Sequence, residues 1–105
     1  VKGKMCLLVD DLIATGSSLV EAARALTRSG AKTVYAAVSH AVLSGPARQR
    51  ITGSPIQELI VTDTIPVTGR HPKITVISVA SLLAEAIRRI HYERSISSLF
   101  DGIRG

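Results

Sequence analysis

Aromatic residues are nearly missing from this chain. It has no Trp, one Phe and two Tyr in 105 residues. With so few rings there is no aromatic interleaving of basic residues, which argues against a nucleic-acid surface despite a net charge of +5. The 13 Lys and Arg form no run, and an anionic small ligand accounts for the balance equally well. The core has to be aliphatic. Cysteine occurs once, at Cys6 inside an apolar run, so no intrachain disulfide is possible and Cys6 reads as a small core residue. The three His stand far apart, at 40, 71 and 91, which argues against a structural zinc site. No secretory leader and no apolar stretch of membrane-spanning length is present. The expected compartment is therefore the reducing cytoplasm, with no membrane partner. Neither Gly-Lys-Ser/Thr of a Walker A loop nor GxGxxG occurs.

The stretch Met5 to Leu19, MCLLVDDLIATGSSL, is the most informative. Met5-Cys6-Leu7-Leu8-Val9 has the length and composition of a strand buried on both faces. Two carboxylates follow, Asp10 and Asp11, and then the small polar loop Ala14-Thr15-Gly16-Ser17-Ser18. A helical pattern begins at Leu19. In an open α/β sheet, ligands bind beyond the carboxyl ends of strands. The first N–H groups of a helix lack partners and carry partial positive charge. The loop thus suits a phosphate. The carboxylates suit vicinal hydroxyls, or a Mg²⁺ held through water. Together they describe a sugar-phosphate site. The competing reading is a side-chain N-cap and a glycine turn with no ligand.

Along the chain, a first strand is expected over 5–10 and a helix over 18–29, with Glu21 and Arg24 outward and Gly30 past its end. A second strand follows over 34–38, then a short helix over about 45–52, with Ser44 as N-cap and Pro46 in its first turn. A third strand spans 56–62 and a fourth 74–79. The strongest periodicity predicts a helix over 80–91, with Leu82, Leu83, Ala86, Ile87 and Ile90 on one face. His40 is expected to be structural, His71 and His91 solvent-facing, and Arg88-Arg89 a solvated face. Strands alternating with helices predict one α/β domain over 1–105: a parallel sheet flanked by helices on both faces.

VDDLIATGSSL resembles the phosphoribosyl-diphosphate loop of type I phosphoribosyltransferases and of ribose-phosphate pyrophosphokinases. The likeness to the second group continues through Gly30-Ala31-Lys32, Ser39-His40, Leu43-Ser44-Gly45-Pro46-Ala47, Ser54-Pro55-Ile56, Thr64-Ile65-Pro66, Ser78 to His91, and Ser95-Ile96-Ser97 with Leu99-Phe100. The chain is similar to the C-terminal half of that enzyme. The resemblance implies a type I phosphoribosyltransferase-like fold, a three-layer α/β/α arrangement. It implies Mg²⁺-dependent transfer of the diphosphoryl group of ATP to ribose 5-phosphate. Asp10, Asp11, Ala14, Thr15, Gly16, Ser17 and Ser18 then stand at the ribose 5-phosphate site, with Asp10 and Asp11 near the metal. Ser95, Ile96, Ser97 and Phe100 correspond to an allosteric ADP or phosphate site. ATP is held mainly by an N-terminal half that this segment does not include, full-length members are homo-oligomers, and no residue here is assigned the catalytic step.

Two departures from the family pattern bear on the site. Ala14 stands where the family usually has Asp, which should weaken sugar binding. Ser17 stands where Gly is common, which would strain the loop if its backbone needed positive φ there. Ala14 and the absent half also support a second reading, a non-catalytic regulatory or binding module of the same fold. A third, a phosphoribosyltransferase, would need a hood over the base that the chain lacks. The opening Val1 suggests a piece of a longer or processed protein.

Overall fold

The computed structural model describes residues 2–92. Its elements follow the order β1 (Met5–Ile13), α1 (Ser17–Arg28), β2 (Thr33–Ala41), α2 (Ala47–Thr52), β3 (Ile56–Thr62), β4 (Ile74–Ile77) and α3 (Ala80–His91). The four strands form one parallel sheet in the order β1-β2-β3-β4. The α/β class, the βαβ opening, β3 and α3 agree with the sequence reading. The predicted Ser95, Ile96, Ser97 and Phe100 lie outside the described residues.

Consecutive parallel neighbours joined by right-handed crossovers carry their helices on one side of the sheet. Leu19, Val20 and Ala23 of α1 and Ile51 of α2 meet Val34, Ala36 and Val38 of β2 and Leu59 and Val61 of β3 in one core. The side chains fully withdrawn from water are Ile51, Ile56, Leu59, Val34 and Val61. Burying each contributes about 1.5–3 kcal/mol. The core is aliphatic, as composition required.

Helices cover one face among the described residues, where two covered faces were expected. Met5, Leu7 and Val9 of β1 are 70%, 60% and 75% exposed on the other. The strand expected to be buried on both faces is an edge strand, half covered. Tyr35 pairs with Leu7, and Ala37 with Val9 and Ile60, so this open face is continuous across three strands. Cys6 is half-buried, not sealed in the core. α3 also departs from expectation. It has no buried residue, and its apolar stripe leaves Leu83, Ile87 and Ile90 exposed.

Turn chemistry explains most boundaries. Gly30, at φ +97°, ends α1 as predicted. The neighbouring Ala31 N–H donates to the Leu26 carbonyl at 3.0 Å. Glu21 and Arg24 pair outward at 3.2 Å. The predicted Ser44 cap of α2 is not made: Pro46 is the N-cap residue, without a side-chain capping bond. At the far end of α2, the Lys73 Nζ donates to the carbonyls of Ile51, Thr52 and Ser54, at 3.4, 3.2 and 2.9 Å. These carbonyls end a helix whose dipole favours a cation. At α3, Val79 occupies the N-cap and cannot cap with its side chain. The Ser78 hydroxyl accepts the Ala80 N–H at 3.2 Å, and the Asp63 carboxylate accepts the Val79 N–H at 2.8 Å. That bond first, and then one from the Ser78 hydroxyl, hold the Asp63 carboxyl below its ordinary pKa.

Candidate functional site

The site begins where β1 outruns its expected length. The strand continues through both aspartates to Ile13, because Asp10, Leu12 and Ile13 pair with Val38, His40 and Ala41 of β2. Three residues, Ala14 to Gly16, separate it from α1. Between them lies an open cavity of about 210 Å³, lined by Asp10, Leu12, Ile13, Ala14, Thr15, Gly16, Ser17, Ser18 and Leu19. Six of the seven predicted sugar-phosphate residues line it. Asp11 does not; its N–H donates to the Asp10 carboxylate at 2.7 Å.

The helix start lacks a side-chain cap. Gly16 is the N-cap residue, at φ +82°, and no side chain closes the helix end. The Val20 N–H makes the first helical bond, to the Gly16 carbonyl at 3.0 Å. The N–H groups of Ser17, Ser18 and Leu19 precede that bond. The first turn carries no acidic residue, so the positive end of α1 is not neutralised by a carboxylate of its own. The side-chain cap, the alternative to a phosphate loop, is therefore absent. The Thr15 and Ser17 hydroxyls lie 3.3 Å apart at the mouth. Ser17 is inside the helix, and the left-handed position falls on Gly16. The strain expected of Ser17 does not arise.

Sequence reasoning missed the residues that hold the loop from behind. The Val42 and Leu43 N–H groups donate to the Ile13 carbonyl at 3.0 and 3.1 Å, and the Ser44 N–H to the Ala14 carbonyl at 2.8 Å. The Arg50 guanidinium of α2 donates to the Thr15 carbonyl at 3.0 Å. Leu43 achieves its bond at φ +50°, the one non-glycine residue in the left-handed region among those described. The segment Leu43 to Ala47 was visible as a family-like string, but no periodicity joins Arg50 to a loop 35 residues earlier.

The other strand ends are polar. His40 Nδ1 and the Thr64 hydroxyl are 2.8 Å apart, and the Thr62 hydroxyl donates to the Ser39 carbonyl at 2.6 Å. His40 thus ties the end of β2 to the loop after β3. His71 is half-buried and bonded rather than solvent-facing: its Nδ1 accepts the Lys73 N–H at 3.0 Å and its Nε2 lies 2.7 Å from the Thr52 hydroxyl. Glu85 pairs with both Arg88 and Arg89. Among the described residues no three His, Cys, Asp or Glu gather into a metal-binding group. An all-protein cage is thus absent there, while the exposed Asp10 and Asp11 oxygens fit a hard cation that keeps most of its waters. No helix among the described residues is long and apolar enough to cross a membrane.

Residues 1–101 match the family model described as the phosphoribosyl synthetase-associated domain. The chain belongs to that family. Relatives named ribose-phosphate pyrophosphokinase include one from Rhodopirellula baltica, 51% identical over 102 residues, and one from Caldanaerobacter subterraneus, 55% identical over 102. Each alignment takes in 95% of this chain and 32% of the relative. The chain therefore spans about a third of the length of the curated relatives it matches. The crystal structure of phosphoribosylpyrophosphate synthetase from Mycobacterium smegmatis superposes with a TM-score of 0.86 at 46% identity, covering 89% of this chain and 32% of that one. The phosphoribosyl synthetase-associated domain is thus, in this member, a parallel sheet whose first strand delivers Asp10 and a polar loop to one cavity.

Proposed function

We propose that this chain is the ribose 5-phosphate-binding part of a ribose-phosphate pyrophosphokinase, corresponding to its C-terminal half. The carrying observation is the cavity at the end of β1, where an uncapped helix start faces the mouth of an acidic strand end. The 5-phosphate takes the N–H groups and hydroxyls of Thr15, Gly16, Ser17 and Ser18. Asp10 and Asp11 accept from the ribose hydroxyls and hold Mg²⁺ through water. The metal supplies charge neutralisation for a diphosphoryl group passing from ATP to the 1-hydroxyl. The chain's own contribution is positioning: an anchored phosphate at one end and bonded hydroxyls at the other present the 1-hydroxyl in a fixed direction.

An N-terminal part that this chain does not span supplies the ATP site, and the whole assembles as a homo-oligomer in the cytoplasm. Ser95, Ile96, Ser97 and Phe100 contribute an allosteric ADP or phosphate site. This chain alone releases no AMP from ATP and ribose 5-phosphate; AMP production by the purified chain would overturn that.

A second reading rests on Ala14, which lines the cavity without a carboxylate. On it the chain is a binding or regulatory module of the same fold. An NMR titration with ribose 5-phosphate and Mg²⁺, following the amides of residues 10–18, separates the two. Shifts confined to that loop support the proposed site, and none at millimolar ligand count against it. Ala14→Asp should tighten binding by about 1–3 kcal/mol, roughly 5- to 150-fold, if a charged hydrogen bond is restored.

A further inference from the structure

We infer that Arg50 is a positioning residue of the phosphate loop: it does not touch the ligand, and it turns the loop's amides toward it. This deepens the reading of the cavity as a ribose 5-phosphate site and rests on it.

Three successive carbonyls of the loop are occupied by donors from one segment. Ile13 accepts from Val42 and Leu43, Ala14 from Ser44, and Thr15 from Arg50. No peptide bond is cis among the described residues, so each C=O points opposite to the N–H of the next residue. Pulling the carbonyls of Ile13, Ala14 and Thr15 toward the β2–α2 connection therefore turns the N–H groups of Ala14, Thr15 and Gly16 away from it. The cavity is lined by Ala14, Thr15 and Gly16 and by no residue of that connection, which leaves it as the space open to these amides. There they join the N–H groups of Ser17, Ser18 and Leu19, which precede the first bond of α1.

Arg50 is the last and least redundant of these tethers. The other three are backbone bonds, made by whatever residues occupy 42–44. The Thr15 carbonyl is the one beside Gly16, which sits at φ +82° and, lacking a Cβ, opposes rotation of that peptide least. A side-chain donor on a helix fixes it without adding a Cβ to the loop. Ala47, one turn earlier on α2, lies 3.7 Å from where a Gly16 Cβ would stand, so α2 also backs the loop by contact.

The test uses Arg50→Gln, Arg50→Lys and, for general loss of positive charge from the same helix, Arg48→Gln. Arg48 bonds the Thr68 carbonyl, away from the loop. Two readouts are taken: amide shifts of residues 14–18 in the free protein, and the Kd for ribose 5-phosphate with Mg²⁺. Arg50→Gln should move those free-state shifts and weaken binding about tenfold, the scale of one charge-assisted hydrogen bond. The thermal midpoint should stay within about 3 °C, since Arg50 is exposed. Arg50→Lys should recover part of both signals, and Arg48→Gln should change binding by less than about twofold. Unchanged free-state shifts in Arg50→Gln, or an unchanged Kd, would overturn the inference. Equal weakening by Arg48→Gln would also overturn it, by assigning the effect to net charge. If the unaltered chain binds no ribose 5-phosphate, the proposed function fails, while the free-state shifts still decide whether Arg50 orients the loop.

Discussion

On β2, Val34, Ala36 and Val38 are at most 3% exposed beneath the two helices, while on β1, through the same sheet, Met5, Leu7 and Val9 stand at least 60% in water. Both sets are aliphatic and both are regular strand. The difference comes from the pleat, which sends alternate residues to opposite faces, and from the two helices sharing one of them. Hydrophobicity alone thus does not say which side of this sheet is the core. The loop of residues 14–16 belongs to the covered side. Gly16 lies against Ala47 and Ile13, and the donors to the loop come from the connection into α2.

The contrast is broken most directly by truncation on each face. Leu59→Ala, at a fully buried position, should cost about 2–5 kcal/mol in a denaturant titration. Leu7→Ala on the open face should cost less than about 0.5 kcal/mol, as surface substitutions usually do. Comparable losses would mean that the open face is covered in solution. Next in size is Gly16→Ala. Its Cβ would find ordinary contact distances, so the cost is that of a left-handed backbone, about 1–2 kcal/mol. The amides of residues 14–19 should shift with it. A neutral effect would mean that the loop does not keep its positive φ.

The smallest effect is expected away from the core, at Asp63. Its folded pKa is depressed by the Val79 and Ser78 hydrogen bonds. A depressed carboxylate adds stability above its unfolded pKa of about 3.9 and loses it as pH falls through the folded value. Asp63→Asn should therefore flatten the dependence of the melting temperature on pH below about 4, with a small loss at neutral pH that fades as acid protonates the carboxylate of the unaltered chain. An undiminished acid dependence in that variant would assign it to other carboxylates.

Much of this was readable before any coordinates. Helix 80–91 follows from Leu82, Leu83, Ala86, Ile87 and Ile90, and strand 56–62 from its apolar centre between turn residues. The layout of the candidate site was legible because it is contiguous: Asp10 to Ser18 is one strand end, one loop and one helix start. Arg50 was not legible, since its bond to Thr15 exists only because α2 returns to the end of β1. His71 was misread for the same reason, its partner Thr52 lying 19 residues earlier in the chain. Ser44 looked like a helix cap by type and instead gives its amide to Ala14.

Local order along the chain was determined by the sequence by itself: alternating strand and helix, an aliphatic core without disulfides, and an acidic pair followed by a small polar loop. Each depends on neighbours within a turn or two, where side-chain shape and backbone sterics act directly. The tertiary structure alone decided which face of β1 is covered, that the apolar stripe of α3 stays exposed, and that the loop's carbonyls are held from behind. Those outcomes depend on strand register and crossover side, which join residues tens of positions apart and leave no periodic trace in either segment.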